Sequence, residues 1–292
     1  MIPCQFVEAR GMSKYTKSKY RLEGPWEQVR QQLANLESSD SHAEKQVGTG
    51  NKMLGGGCIT GVLGLVSLAL TGPFGGFVAF VGFSVAILGL VYNAMFSSYD
   101  LENMRYQVPT SLLDTLAVDL DPSKNVSVMI DFRASQSKEF IQKVEQSSFL
   151  FISTGPKVSY FSHPWLEFSG ATVDGYRLKL NVCREGSYKQ VPKRKRTKTK
   201  LRYVDSVTLA VRPPTGQAAA APVGTPLAPP QTTRFRSFRG QVTAQGAMAK
   251  AVGPQYYTVS NRGTSSGGDH LQGSDLVVLF VACFRGLLAA PR

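Results

Sequence analysis

Hydrophobic and polar positions recur along this chain with more than one period, and the longest pattern has no polar phase at all. Between Lys52 and Asp100 no side chain is charged, and residues 53–96 are almost wholly apolar or glycine. A helix needs about 20 apolar residues to cross ~30 Å of hydrocarbon, so the window suffices for two crossings and exceeds one. Thr71, Gly72 and Pro73 break it, because proline ends a helix and glycine lets the chain reverse. The pattern predicts a membrane α-helical hairpin of two transmembrane helices, with arms at 54–70 and 74–92. A buried core helix would keep a polar face, whereas here every face is apolar. A signal peptide would lie nearer the amino terminus and would not be followed by a second apolar arm.

Upstream, Trp26, Val29, Leu33 and Leu36 recur at helical spacing behind Pro25, which favours the first turn. They predict a short amphipathic helix over 25–36, followed by a polar linker at 38–52. Residues 1–11 carry no pattern, and Met12 is as natural a start as Met1.

Downstream the period falls to two. Val126, Val128, Ile130 and Phe132 alternate with Ser127, Met129, Asp131 and Arg133, as in a half-buried strand. Tyr176, Leu178, Leu180 and Val182 repeat the pattern. Asp174-Gly175 predicts a hairpin between 165–173 and 176–183, since the primed turn needs positive φ. A second pair is expected from 149–153 and 158–161, and a helix over 135–146 from Phe140, Ile141 and Val144. These elements give a mostly antiparallel β-rich soluble domain, a sandwich or barrel with one helix. After Arg212 the chain turns Pro/Ala-rich and then Gly/Ser-rich, a composition that predicts a disordered tail ending in an apolar stretch at 276–290. That stretch is short for a crossing and holds Arg285, which suits an interfacial segment better than a third span. The resulting organisation is an amino-terminal segment (1–52), the hairpin (53–96), the β-rich domain (97–212) and the tail (213–292).

Composition adds little until charge is mapped. Cys4, Cys58, Cys183 and Cys283, like His42, His163 and His270, are scattered, so neither a disulfide framework nor a metal site is implied. The net charge is +13, and residues 177–202 hold eleven Lys or Arg against the single acid Glu185. Such a patch attracts anions. Lys45 and Lys52 before the hairpin and Arg105 after it, with none in its turn, place both flanks and both termini in the cytoplasm.

Within the arms, Gly57 and Gly61, and Gly72 and Gly76, have the spacing that lets helix backbones approach closely. They serve packing of the two arms on each other, or a homo-oligomer. Gly263-Thr264-Ser265-Ser266-Gly267 matches the nucleophile-elbow pattern, with Asp269 and His270 close behind. An elbow needs a strand before it, a helix after it and partners from distant loops, and a Gly/Ser-rich tail offers none of these. Asp114, Asp119 and Asp121 belong to ordinary loops and turns. The run around Pro192 also resembles a nuclear import signal, which a membrane hairpin argues against.

The run 193–202 has geometry as well as charge. Extended, it sets Arg194, Arg196, Lys198, Lys200 and Arg202 on one face, about 7 Å apart at ~3.3 Å per residue, with Thr197, Thr199, Leu201 and Tyr203 opposite. A row of that spacing can track a phosphate backbone or lie on anionic lipid headgroups; a solvated edge strand that resists aggregation is the plain alternative. The expectation is therefore a non-enzymatic membrane anchor or scaffold, bound to the lipid bilayer, whose cytosolic domain presents a basic strand to anionic lipid or nucleic acid. A membrane-bound enzyme with an unrecognised site is the rival. No cofactor is implied.

Overall fold

The computed structural model describes residues 17–97, 99, 101–146, 155–193, 196–217, 221–230, 234–260 and 264–288. The chain forms two compact units, one centred on Asn35–Asn103 and the other joining Lys19–Ala34 to Met104–Arg292.

The first unit is a helical hairpin of α1 (Trp26–Thr71) and α2 (Pro73–Phe96). Gly72 turns between them at φ 58 and ψ −133, and Pro73 opens α2, the place where its missing N–H costs nothing. Both helices are long and apolar enough to cross a membrane. Their contact is built from small residues in heptads. Gly57 and Gly64 of α1 lie so close to α2 that a Cβ would fall 2.5 Å from Ala86 N and 2.3 Å from Ala79 N. Gly75, Gly82 and Gly89 of α2 approach Leu68, Gly61 and Leu54 as closely, at 2.4, 2.3 and 2.6 Å. Large side chains point the other way, with Phe77 64 % and Phe80 71 % exposed and Ile59, Val66, Ile87 and Leu90 also outside.

The expected linker at 38–52 is instead helix, an uninterrupted part of α1. It contains no proline, and its polar side chains find partners. Asn93 Nδ2 donates to Asn51 Oδ1 at 2.5 Å, Asn103 to Glu44 at 2.9 Å, and the Leu101 N–H to Asp40 at 2.5 Å. Tyr92 Oη also donates to Gln46.

The second unit is one antiparallel sheet rather than a closed barrel or a sandwich. Its strands are β1 (Lys19–Gly24), β2 (Val126–Asp131), β3 (Ile141–Gln146), β4 (Lys157–Ala171), β5 (Arg177–Lys193), β6 (Arg196–Arg212), β7 (Ser237–Thr243), β8 (Gly246–Ser260) and β9 (Thr264–Gly268). They run in the order β1-β2-β4-β5-β6-β8-β7, with β3 on β4 and β9 on β8. Leu178, Leu180 and Val182 of β5 stand opposite Val211, Leu209 and Val207 of β6, all buried. The expected hairpin at Asp174-Gly175 forms, with Gly175 at φ 83, and its strands run far beyond the alternating core.

Helices cover the apolar face: α3 (Asn103–Leu116), α4 (Gly273–Leu288) and the start of α1, where Val29 and Leu33 are buried. Leu276, Leu279, Phe280, Cys283 and Leu287 form the buried stripe of α4, and Phe280 meets Phe168 edge to face at 6.4 Å.

Two further expectations need correction. Residues 135–146 are not a helix but a 3₁₀ turn (Lys138–Phe140) running into β3; Val144 and Glu145 stand opposite Ser159 and Val158 of β4, so long-range pairing overrides local pattern. The region after Arg212 is not structureless. It supplies β7, β8, β9 and α4, β8 pairing along β6 from Thr199 to Val211, and the apolar end at 276–288 packs on the sheet. The strand expected at 149–153 lies outside the described residues.

Candidate anion-binding face

In a strand, alternate side chains point to opposite faces. In β5 and β6 the phase that carries Leu180 and Leu209 is buried beneath the helices, and the opposite phase carries the cations. Lys198, Lys200 and Arg202 occupy it as expected, Arg202 exposed and the lysines half-buried. Arg194 lies outside the described residues, and Arg196 enters as a register position, opposite Lys193. From Thr199 to Arg202 the basic run is not at an edge, because there β6 sits between β5 and β8.

That interior position recruits cations the linear run does not include. Lys189 of β5 faces Lys200 of β6, Arg177 of β5 faces Arg212 of β6, and Arg239 of β7 faces Lys250 of β8. Directly opposed like charges destabilise a sheet. Among the described residues none of these six makes an ion pair with an acid. Arg177 donates to Thr215 Oγ1 at 2.6 Å. Two shallow grooves cross the sheet. One, of ≈ 380 Å³, includes Lys124, Arg177, Lys179 and Arg212 in its lining; the other, of ≈ 480 Å³, includes Tyr160, Ser187 and Arg202.

The buried side of the sheet holds a polar network that sequence spacing did not reveal. Arg184 Nε meets Asp205 Oδ1 at 3.0 Å, and Trp165 Nε1 donates to the same oxygen at 3.0 Å. Arg184 and Asp205 face each other in register, each in the phase of buried aliphatic residues, and a charge in a core phase is the signal that could have found them. Arg105 of α3 donates to the Arg133 carbonyl at 2.9 Å and to that of Asp131. Burial raises Asp131, hydrogen bonds from Arg133 and neighbouring charges lower it, and the balance leaves it below its ordinary value.

Ser135 Oγ lies 3.0 Å from His163 Nδ1, and Asp131 Oδ2 lies 3.5 Å from His163 Nε2. The three residue types are those of a hydrolytic triad, but the site is sealed. All three are buried, and Phe140 stacks on the imidazole at 3.8 Å between centroids. Burial, aided by Arg105, depresses His163 to about 4, leaving a neutral, weak base. This is an internal hydrogen-bond network, not a substrate site.

The remaining sequence candidates are separated. Ser266 and Gly267 of the elbow-like pattern lie in a strand, β9, and Gly263 lies outside the described residues. His270 stacks on Tyr256 at 4.2 Å. Asp114 pairs with Arg30, and hydrogen bonds from Ser123 and Lys124 pull Asp121 down to about 2. Cys58, Cys183 and Cys283 are unpaired, and no group of His, Cys, Asp or Glu among the described residues could hold a metal ion.

Of the four glycines singled out in the hairpin, Gly57 abuts Ala86, and a Cβ on Gly61 would come within 3.0 Å of the Phe83 ring. Gly72 is the turn residue, facing open space, and Gly76 has only Leu68 Cδ1 within reach, at 3.4 Å. The tight positions therefore recur every seven residues, a period that the four-residue motifs do not describe. No family model matches the chain, and no curated protein or solved structure matches it.

Proposed function

We propose that this protein is a non-enzymatic, multi-pass membrane anchor whose sheet unit binds polyanions on its cationic face. Support for the anchor comes from the inverted packing of α1 and α2. A helix pair in water buries large apolar side chains, whereas here glycine and alanine fill the seam and phenylalanine and leucine face outward, as suits a lipid solvent. Ser67 and Ser84 inside the arms return their hydroxyls to the carbonyls of Gly64 and Phe80, as polar groups in hydrocarbon must. Lys45, Lys52 and Arg105, with no Lys or Arg in the turn, favour the cytoplasm for both flanks. The glycine seam is filled within the hairpin, so no homo-oligomer is required.

The observation that carries the binding function is the set of three opposed cation pairs, Lys189/Lys200, Arg177/Arg212 and Arg239/Lys250, which make no ion pair with an acid among the described residues. Within each pair the two cations stand on adjacent strands ~4.8 Å apart; Lys250 lies opposite Thr208, so the three pairs fall at separate levels of the sheet, about 26 Å and about 13 Å apart along β6 at ~3.3 Å per residue. Mutual repulsion across each pair is relieved when an anion sits between them.

The test uses the full chain reconstituted in neutral phosphatidylcholine vesicles, with inorganic polyphosphate as the probe. The protein should resist alkaline carbonate extraction. Polyphosphate should bind at low salt and dissociate steeply as salt rises. Gln at Lys189, Lys198, Lys200 and Arg202 together should weaken binding at least about ten-fold, each cation contributing on the order of 1 kcal/mol. Release by carbonate would remove the anchor, and a wild-type protein that binds neither polyphosphate nor anionic vesicles would remove the binding function.

A further inference from the structure

One rung of the cationic face differs from the others. Tyr160 of β4 stands opposite Ser187 of β5, Ser187 opposite Arg202 of β6, and Arg202 opposite Tyr257 of β8. Four adjacent strands thus present Tyr, Ser, Arg and Tyr in line across the sheet. The tyrosines are 39 % and 45 % exposed, a large solvent-facing aromatic area for the interior of a sheet. The next rung on the same face holds Lys189 and Lys200.

Both rings are restrained where they touch the protein. Tyr160 Oη donates to Glu145 Oε2 at 3.2 Å, and Glu145 is itself held by Lys143 at 2.7 Å. Tyr257 lies over Gly267 of β9, where a Cβ would fall 2.7 Å from its Oη, so the glycine makes room for the ring. Side chains fixed before binding lose little rotamer freedom on contact. Tyr160 and Tyr257 are three strand steps apart, about 14 Å at ~4.8 Å per step, with an exposed guanidinium between them.

From this juxtaposition we propose that the cationic face takes single-stranded nucleic acid, bases stacking on Tyr160 and Tyr257 while Arg202, Lys189 and Lys200 hold the phosphates between and beyond them. A proposal of this kind rests on the polyanion-binding function above and narrows it. Aromatic residues on a four-stranded sheet stack about two or three bases, and stacking tolerates any base because each has a π-face. A duplex keeps its bases stacked inside and offers the tyrosines nothing. A lipid headgroup layer would engage the cations and leave the tyrosine positions interchangeable with other residues.

The experiment titrates the full chain, in neutral lipid nanodiscs, with a labelled single-stranded 12-nucleotide RNA of mixed sequence, with its blunt duplex, and with phosphatidylserine-containing vesicles. The single strand should bind at least ten-fold more tightly than the duplex. Tyr160→Ala and Tyr257→Ala should each weaken single-strand binding on the order of 10- to 100-fold and leave vesicle binding unchanged. Tyr160→Phe keeps the ring and should stay within about three-fold of wild type, which separates stacking from any loss of fold. Equal affinity for single strand and duplex, or alanine variants that bind like wild type, would overturn the inference. So would binding to vesicles without binding to RNA, although the polyanion-binding function would then stand. Failure to bind any of the three probes would remove both.

Discussion

Burial, aided by Arg105 and opposed by the nearby Asp131 carboxylate, decides the behaviour of His163, which sits among Arg105, Asp131, Arg133 and Arg184 with its ring under Phe140. Its pKa falls from 6.5 to about 4 on folding. The unfolded chain therefore binds a proton that the folded chain refuses throughout that window. Stability is fully present above about 6.5 and is lost as pH falls toward 4, at about 1.4 kcal/mol per pH unit for one proton. Melting of the full chain in neutral micelles should show Tm declining between pH 6.5 and 4, and His163→Gln should flatten that decline even if it lowers Tm at neutral pH. A His163→Gln profile parallel to wild type would place the acid sensitivity elsewhere. Arg184 and Asp205 are both 3 % exposed, so Asp205→Ala removes the carboxylate that faces a buried guanidinium and should cost about 3 to 5 kcal/mol, read as a loss of Tm at pH 7. None of this network was legible from local spacing, because Arg105, Asp131, His163, Arg184 and Asp205 converge from α3, β2, β4, β5 and β6. Only the core phase of Arg184 and Asp205 hinted at it.

At the scale of elements, periodicity succeeded where one face was uniform and failed where pairing was distant. The charge-free window, the break at Gly72 and the Asp174-Gly175 turn could all be read directly, since each depends on residues adjacent in sequence. Residues 135–146 look helical in isolation, yet their backbone is claimed by β4. The long β8 hides among glycine, alanine and polar residues, and its place is set by β6. Charge showed the same limit: the patch at 177–202 was visible as a run, but the pairing of Lys189 with Lys200 and of Arg177 with Arg212, and the addition of Arg239 and Lys250, come only through register. In the hairpin the seven-residue glycine period carries a sharp test. Gly64→Val and Gly82→Val place a side chain where Cβ already meets backbone at 2.3 Å, and should part the helices and lower the micellar Tm markedly. Gly55→Ala and Gly56→Ala, with nothing within 4 Å, should be neutral or slightly stabilising through helix propensity. Equal effects at both sets would mean that the glycine seam is not the packing surface.

The whole molecule combines an apolar hairpin with a basic sheet, and the two parts make separable demands on experiment. If α1 and α2 form a hairpin in the bilayer, single cysteines at Ser38 and Ser187 should label from the same side of sealed vesicles; labelling from opposite sides would leave an odd number of crossings. The most direct measurement concerns the opposed cations, because a surface shaped for an anionic partner should be more stable once its repulsion is removed and should bind less well. In the triple variant Lys200→Glu, Arg212→Glu and Lys250→Glu each like-charged pair becomes an opposite-charged one, worth roughly 0.2 to 1 kcal/mol per pair. Tm and polyphosphate affinity measured on the same reconstituted sample should move in opposite directions, Tm up by a few degrees and affinity down by more than about ten-fold. A variant that melts no higher than wild type and still binds polyphosphate with wild-type affinity would contradict the assignment of this face to a polyanion.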